Sequence, residues 1–443
     1  MTSGSLPSAV PIDIGAETMR RVSMRLVPFL MICYIIAYID RVNAGFAALQ
    51  MNQHLGLTAA MFGFGATLFY IAYTVFEVPS NVLMAKVGPR LWIARIMLTW
   101  GLCGIAAAFA TGPYSFYATR FLLGAAEAGF FPGAVFYLTL WFPIAYRSRV
   151  MAAFGVAVPL SVFVGAPISG ALLHLDGMLG FRGWQWLFIM ESIPAILLGL
   201  GALFMLPDRP AEAKWLTPEQ RDWLTRQLEA EQHVKKPVGH MSLWQVLTNK
   251  YVLLLGVVYA GASATSNSLS LWMPQILKSF QLSNLETSLL GAIPYGLACV
   301  AMIIWSRRAD RSGERVWNTA LPLALTAASL AAMTLSGSVW IMLALLSLAL
   351  MANYSIKGPF WALVTSWLST GSAAAGIAAI NTLAHIGTSI TTTLIGVIRD
   401  KTDSFPVALL PLAFLTAIGA VTVVLLAQSQ SRSEAALAPS PAE

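Results

Sequence analysis

The sequence predicts an all-α integral membrane protein of twelve transmembrane helices arranged as two six-helix bundles. Three observations predict it. Of the 443 residues, 57% are hydrophobic and only 11% charged, about half the charged fraction of soluble domains. The mean hydropathy is +0.70, and apolar runs of helix length recur along the chain. The runs fall into two sets of six around one long polar stretch, the plan of two repeats facing each other.

The first set comprises Leu26–Phe46, Ala59–Leu83, Leu91–Thr111, Tyr114–Leu140, Met151–Leu173 and Trp184–Leu206. The second comprises Tyr251–Trp272, Thr287–Trp305, Val316–Leu335, Val339–Leu363, Ala374–Ile398 and Phe405–Ala427. The chain thus divides into an N-terminal segment (1–25), a first bundle (26–206), a linker (207–249), a second bundle (250–428) and a tail (429–443). The tail, rich in serine, alanine and proline, reads as disordered. In the linker, Thr217-Pro218-Glu219-Gln220 has the form of a helix start, with a capping threonine and proline at the first helical position, and the helix is expected over Thr217–Glu231. The N-terminus is polar up to Glu17, and the first apolar run comes too late and runs too long for a secretory signal, so it reads as a retained anchor.

The net charge of +7 does not point to nucleic acid, because the cations collect in short loops beside membrane segments. Arg20, Arg21 and Arg25 precede the first span. Lys86 and Arg90 separate spans two and three, Arg147 and Arg149 spans four and five, and Arg307, Arg308, Arg311 and Arg315 spans eight and nine. The opposite loops hold few, among them Arg182, Lys278 and Lys401. The positive-inside rule puts both termini and the linker in the cytoplasm. The three cysteines, Cys33, Cys103 and Cys299, lie within apolar segments without CxxC spacing, so they read as small buried hydrophobes.

Charges inside the spans carry the function. Tyr38-Ile39-Asp40-Arg41-Val42-Asn43 places an acid and a base side by side in the first apolar run. Arg120 and Glu127 interrupt the fourth span seven residues apart, about two turns, on one helix face roughly 10 Å along the axis. Hydrocarbon offers such groups no water, so each needs a partner or a wet cavity. The four are expected to meet between helices. Arg41, a permanent cation with a planar fork, suits a carboxylate. Asp40, paired with Arg41, would be released to take a proton when an anion binds. Glu127, among glycines and alanines, suits a proton carrier. Arg120 either binds substrate or holds the acids in register. Lys357, in Tyr354-Ser355-Ile356-Lys357-Gly358-Pro359, adds a third cation where Gly-Pro loosens the tenth span, and tilts the substrate toward a dicarboxylate. His385 reads as a hydrogen-bonded interior histidine. Glu77, near loop cations, together with Arg95 and Glu191, reads as structural.

The loops between spans two and three (Lys86-Val87-Gly88-Pro89-Arg90) and eight and nine (Arg307 to Arg315, containing Asp310 and Gly313) resemble the paired loop motif of the major facilitator superfamily, the first copy lacking its usual aspartate. Within it the chain resembles the anion:cation symporters, which include tartrate, phthalate and hexonate permeases. The residues that carry this span most of the chain: Asp40 to Asn43, Phe76-Glu77-Val78-Pro79-Ser80-Asn81, Arg120 to Gly133, Leu206 to Pro210 with Lys214-Trp215-Leu216, Gly358-Pro359-Phe360-Trp361, and Ala379-Ile380-Asn381. The resemblance implies that Tyr38, Tyr73, Trp361 and Asn381 line the substrate cavity, that Glu127 carries a proton, and that the protein is a monomer.

The function expected is proton-coupled uptake of a small organic carboxylate, a dicarboxylate such as tartrate or phthalate, across the inner membrane of a bacterium. The partners are the anion, protons and lipid, with no cofactor beyond the proton gradient and no metal. A sugar-acid or aromatic monocarboxylate symporter, an anion exchanger and a sodium-coupled carrier remain alternatives. A membrane enzyme is disfavoured by the lack of a nucleophile motif or phosphate loop, and a flux-free sensor by a linker too short for an output domain.

Overall fold

A computed structural model describes residues 14–234, 249–367 and 373–437. These residues are helical with short connections, and no strand occurs among them. The first half contains α1 (Ile14–Leu55), α2 (Ala59–Val87), α3 (Pro89–Ala107), α4 (Pro113–Glu127), α5 (Phe130–Thr139), α6 (Ile144–Leu172) and α7 (Gly183–Met205). The linker helix α8 is Pro218–Val234. The second half contains α9 (Lys250–Lys278), α10 (Asn284–Ser312), α11 (Val316–Ala332), α12 (Val339–Ser355), α13 (Lys357–Trp367), α14 (Ala373–Thr402), α15 (Phe405–Ala408) and α16 (Leu410–Leu437).

Among the described residues, eleven segments are long and apolar enough to cross a membrane. The helix expected as the eleventh span, α14, is not among them, and its position explains why. It packs against α2 of the first half and α9 of the second, and its serines and threonines bond protein rather than meet lipid. A helix shielded by other helices on its polar faces needs less apolar surface.

Two of the expected spans, the fourth and the tenth, are broken, at corresponding places in the two halves. Span four divides into α4 and α5 at Ala128-Gly129, where Gly129 takes φ 87°. A Cβ there would crowd Ser80 Oγ, and a side chain would strain the left-handed backbone, so glycine is required twice over. Span ten divides into α12 and α13 at Ile356. In both, a proline (Pro132, Pro359) is the third residue of the second helix, where its missing N–H costs no intrahelical bond.

The ends of α1 and α16 also differ from expectation. Helix α1 starts at Ile14, twelve residues before the apolar run, and an Arg21–Glu17 ion pair at 2.7 Å one turn apart supports the extension. Helix α16 runs to Leu437, through the expected disordered tail, because nothing after Ser429 breaks the helix until Pro439. Residues 1–13, 235–248 and 438–443, the remainders of the expected N-terminal segment, linker and tail, lie outside the described residues.

The linker belongs to the first half. Gln220 N–H donates to Thr217 Oγ1 and Thr217 N–H to Gln220 Oε1, both at 3.3 Å, closing a reciprocal cap at the start of α8. Trp215 stacks on Trp141 at 5.8 Å, and Glu231 accepts the Ile144 N–H at 3.1 Å and faces Arg147 at 3.7 Å. Asp208 accepts the Arg90 N–H at 2.9 Å, just past Gly88 at φ 102°. The carboxylate missing from the first loop motif is thereby supplied from the linker.

The halves meet through α1–α9, α2–α14 and α6–α10. The polar ties concentrate on the face opposite the linker. Asp400 of α14 accepts the Ala59 and Ala60 N–H groups at 3.0 and 2.8 Å, capping α2 from the other half. Asn52 donates to Gln275 at 3.3 Å, and Thr67 bonds the Ser389 carbonyl at 2.7 Å.

Candidate anion site between the halves

Helices α1, α2 and α4 build the charged part of the site. Gly124 lets α4 lie directly on the α2 backbone at Phe69, which brings Arg120 and Glu127 up to α1. Glu127, the last residue of α4 before the break, forms an ion pair with Arg41. The Arg41 guanidinium lies 5.1 Å from the ring centres of Tyr38 and Tyr73 and 5.5 Å from that of Phe69. Arg120 lies over the same Phe69 ring at 5.2 Å. Two cations on one ring are held by its negative face while polar partners are scarce.

Exposure separates their roles. The Arg41 side chain is 15% exposed and that of Glu127 2%. Arg120 is also 2% exposed, with Nε and Nη1 lacking a hydrogen-bond partner. Arg41 is therefore the more accessible of the two cations, and Arg120 is enclosed beside Phe69 with donors unused.

Asp40 corrects the expected pairing. It does not serve Arg41, although the two are consecutive. It is 3% exposed and accepts hydrogen bonds from Trp100 Nε1 of α3 and, at 3.3 Å, from Asn43 Nδ2. Successive side chains on a helix point about 100° apart, so Arg41 faces α2 and α4 while Asp40 faces α3. The acid paired with Arg41 is Glu127. Glu77 differs from expectation too. It stands within electrostatic reach of Arg41 and Tyr73, and forms no ion pair with a loop cation among the described residues.

The second half contributes mainly rings. His385 of α14 packs 5.7 Å from Tyr73 and 6.2 Å from Tyr70, which carries it across to the Arg41 wall with Nδ1 unpartnered. Trp361 packs on Tyr259 at 4.9 Å, and Tyr259 lies within electrostatic reach of Tyr38. Asn381 is half-buried one turn before His385. Lys357 opens α13, half-buried, with Nζ 4.3 Å from the Tyr354 ring centre. No acid among the described residues pairs with it. Phe69, Tyr70 and Tyr34, which packs on Tyr38 at 5.4 Å, are wall residues that nothing in the sequence distinguished from ordinary core aromatics.

Two pseudo-equivalent bundles, a broken helix in each and a site at their junction define a multi-pass secondary transporter. The profile of the Major Facilitator Superfamily matches residues 30–392, and the chain belongs to that family. A protein of Agrobacterium vitis named "Putative tartrate transporter" is 45% identical over 95% of this chain and 94% of its own length. A "Quinolone resistance transporter" of Acinetobacter baumannii is 38% identical, covering 93% of this chain and 95% of its own. Among solved structures, a bacterial homologue of the human lysosomal transporter Spinster, inward-facing and occupied, superposes with a TM-score of 0.72 at 16% identity, covering 94% of this chain and 98% of that one.

Proposed function

We propose that the protein is a proton-coupled symporter that takes up a small organic dicarboxylate, tartrate being the first to test. The observation that carries this reading is the Arg41–Glu127 ion pair, set among aromatic rings at the junction of the halves with only its arginine accessible. A substrate carboxylate and the Glu127 carboxylate compete for one guanidinium fork. Protonating Glu127 removes the competitor, so anion and proton bind together. Arg120 supplies further donors to the anion, Tyr38, Tyr73, Trp361 and Asn381 line its space, and Lys357 meets a second carboxylate. Asp40 acts as a second proton acceptor.

The membrane is the cytoplasmic membrane of a bacterium, with both termini inside, as the loop cations indicate. The ties opposite the linker then make this an inward-facing conformation, and transport rocks one half against the other about the midplane site. The carrier works as a monomer with lipid as its surroundings, and the proton gradient is its only energy source. The 45% identity to the Agrobacterium vitis protein named for tartrate favours a dicarboxylate. The ring-rich wall favours, as second reading, an aromatic monocarboxylate.

Purified protein in liposomes is expected to accumulate L-tartrate under an inward proton gradient and to stop when a protonophore collapses it. Uptake indifferent to the gradient would remove the coupling. Counterflow without pH dependence would replace symport by exchange.

A further inference from the structure

We infer that Asp400 of α14 is a reversible clamp between the halves. Its carboxylate caps α2 from across the junction, holds the face opposite the linker closed, and so sets how often the anion site opens to that side. The closure is argued from hydrogen bonds and backbone contacts, and only its consequence for uptake rests on the symport reading.

Helix α2 does not complete its own start. The first N–H groups of a helix have no intrahelical acceptor. The hydroxyl of Thr58, the residue before α2, accepts the Met61 N–H at 3.2 Å. The Ala59 and Ala60 N–H groups instead donate to Asp400, one to each oxygen, at 3.0 and 2.8 Å. Two donors at the head of α2 are therefore satisfied from the other half, by a negative charge at the positive end of the helix dipole.

The local sequence permits this approach. Ala59 and Ala60 put no bulk around their own N–H groups. A Cβ on Gly396, one turn before Asp400, would collide with the Ala59 carbonyl oxygen, and one on Gly63 would lie 2.8 Å from that of Thr392. The backbones of α2 and α14 thus touch, and the two helices run antiparallel from the clamp to the anion site. Along the way Thr67 Oγ1 bonds the Ser389 carbonyl and Thr393 Oγ1, both at 2.7 Å, and Tyr73 packs 5.7 Å from His385. Asp400 and His385 are fifteen residues apart on α14, about 22 Å along its axis.

Of these ties only that of Asp400 is charged. It is also the farthest from the site, where rocking about the midplane parts α2 from α14 most. The nearby cations are engaged elsewhere. Arg399 pairs with Asp403 and lies 4.8 Å from the Phe405 ring centre, and the Lys278 ammonium donates to the Leu282 carbonyl at 2.7 Å. Asp400 is exposed and borders a cavity of about 590 Å³ between the halves, so water replaces its partners once the halves separate. An exposed cap of this kind biases an equilibrium about two- to thirtyfold, enough to favour closure without locking it. Asp400 is thus a positioning residue, acting on the anion site through the conformation of the halves.

Pulsed electron paramagnetic resonance on the full-length protein in liposomes, without substrate, tests the clamp. Spin labels replace Met178, between α6 and α7, and Leu335, between α11 and α12, both exposed and on the clamp's face, with Cys33, Cys103 and Cys299 changed to alanine. In Asp400→Ala the ratio of long to short label separations should rise about two- to thirtyfold. Should that variant not fold, Asp400→Asn decides, since its single carbonyl oxygen cannot serve both N–H groups with a charge and the ratio should still rise. A distribution like that of the unmodified protein would overturn the clamp. Added salt screens the attraction between carboxylate and helix dipole, so it should open the unmodified protein more than Asp400→Ala. Equal responses to salt would remove the charge from the closure and overturn the proposal. For transport, L-tartrate is the probe, and its external KM should fall in Asp400→Ala as more carriers face outward. An unaltered KM beside shifted distances would overturn the transport role. If the unmodified protein fails to take up tartrate, the carboxylate reading falls, and the label separations still decide the clamp.

Discussion

The two helix breaks, alike in backbone, differ in chemistry. The break in the first half follows Glu127, and the charges around it are paired or stacked: Arg41 with Glu127, Arg120 on Phe69, Asp40 on Trp100 and Asn43. The break in the second half precedes a lone Lys357, and its surroundings are rings: Tyr354, Phe360, Trp361 and Tyr259. A broken helix frees backbone groups and opens space near the midplane, and each half uses that space differently. In the proposed symport the first half supplies the obligatory cation and the protons. The second supplies shape and one extra charge. Coupling should therefore be lost through changes in the first half, and substrate choice altered through changes in the second.

The largest effect is expected at Arg41. Arg41→Gln leaves Glu127 buried without its partner and removes the accessible fork, a loss of about 3–5 kcal/mol or more than a hundredfold in affinity. Tartrate binding followed by thermal shift should disappear, and retained binding would move the anion site elsewhere. Asp40→Asn comes next. It keeps the bond from Trp100 but cannot take a proton, so with Glu127 still coupled the attainable accumulation should fall about tenfold for each pH unit of gradient, while exchange of labelled tartrate continues. Concentrative uptake at the normal level would remove Asp40 from the coupling.

Lys357→Met sharpens the comparison rather than breaking it. One charge-assisted contact is worth about 1.5–3 kcal/mol, so KM for a dicarboxylate should rise at least about tenfold while KM for a monocarboxylate of similar size stays nearly constant. Equal changes for both would end the second-carboxylate role. The smallest effect belongs to the linker cap. Thr217→Ala should cost about 1 kcal/mol of local stability, seen as faster amide exchange in α8 with uptake unchanged. Unaltered exchange would mean that the cap carries no weight.

Much of this was legible beforehand because membrane physics leaves few options. Intramembrane charge is costly enough that Arg41, Arg120 and Glu127 had to converge, and they do. The pairing was less legible. Asp40 and Arg41 are neighbours in sequence, yet a helix turns one toward α3 and the other toward α2 and α4, and no pattern announced Trp100 as the acid's donor. The break in span four was masked because the run stays of helix length and apolar apart from Arg120 and Glu127, although Gly129 and Pro132 mirror the Gly358-Pro359 pair that did mark span ten. Ser169, which donates to Glu191, lies far away in sequence, and no pattern announced that bond either. Phe69 and Tyr70 carried no signal, since aromatic residues recur throughout α2.

In the proposed symport Glu127 and substrate compete for Arg41, and tartrate binding to the purified protein as a function of pH measures this competition most directly. As pH rises Glu127 ionises and occupies Arg41, so binding should weaken, by up to about tenfold per pH unit if one proton accompanies each anion. In Glu127→Gln the competitor is absent, and affinity should stay high and lose that pH dependence. A variant whose binding still weakens with pH as the unmodified protein's does would contradict the account.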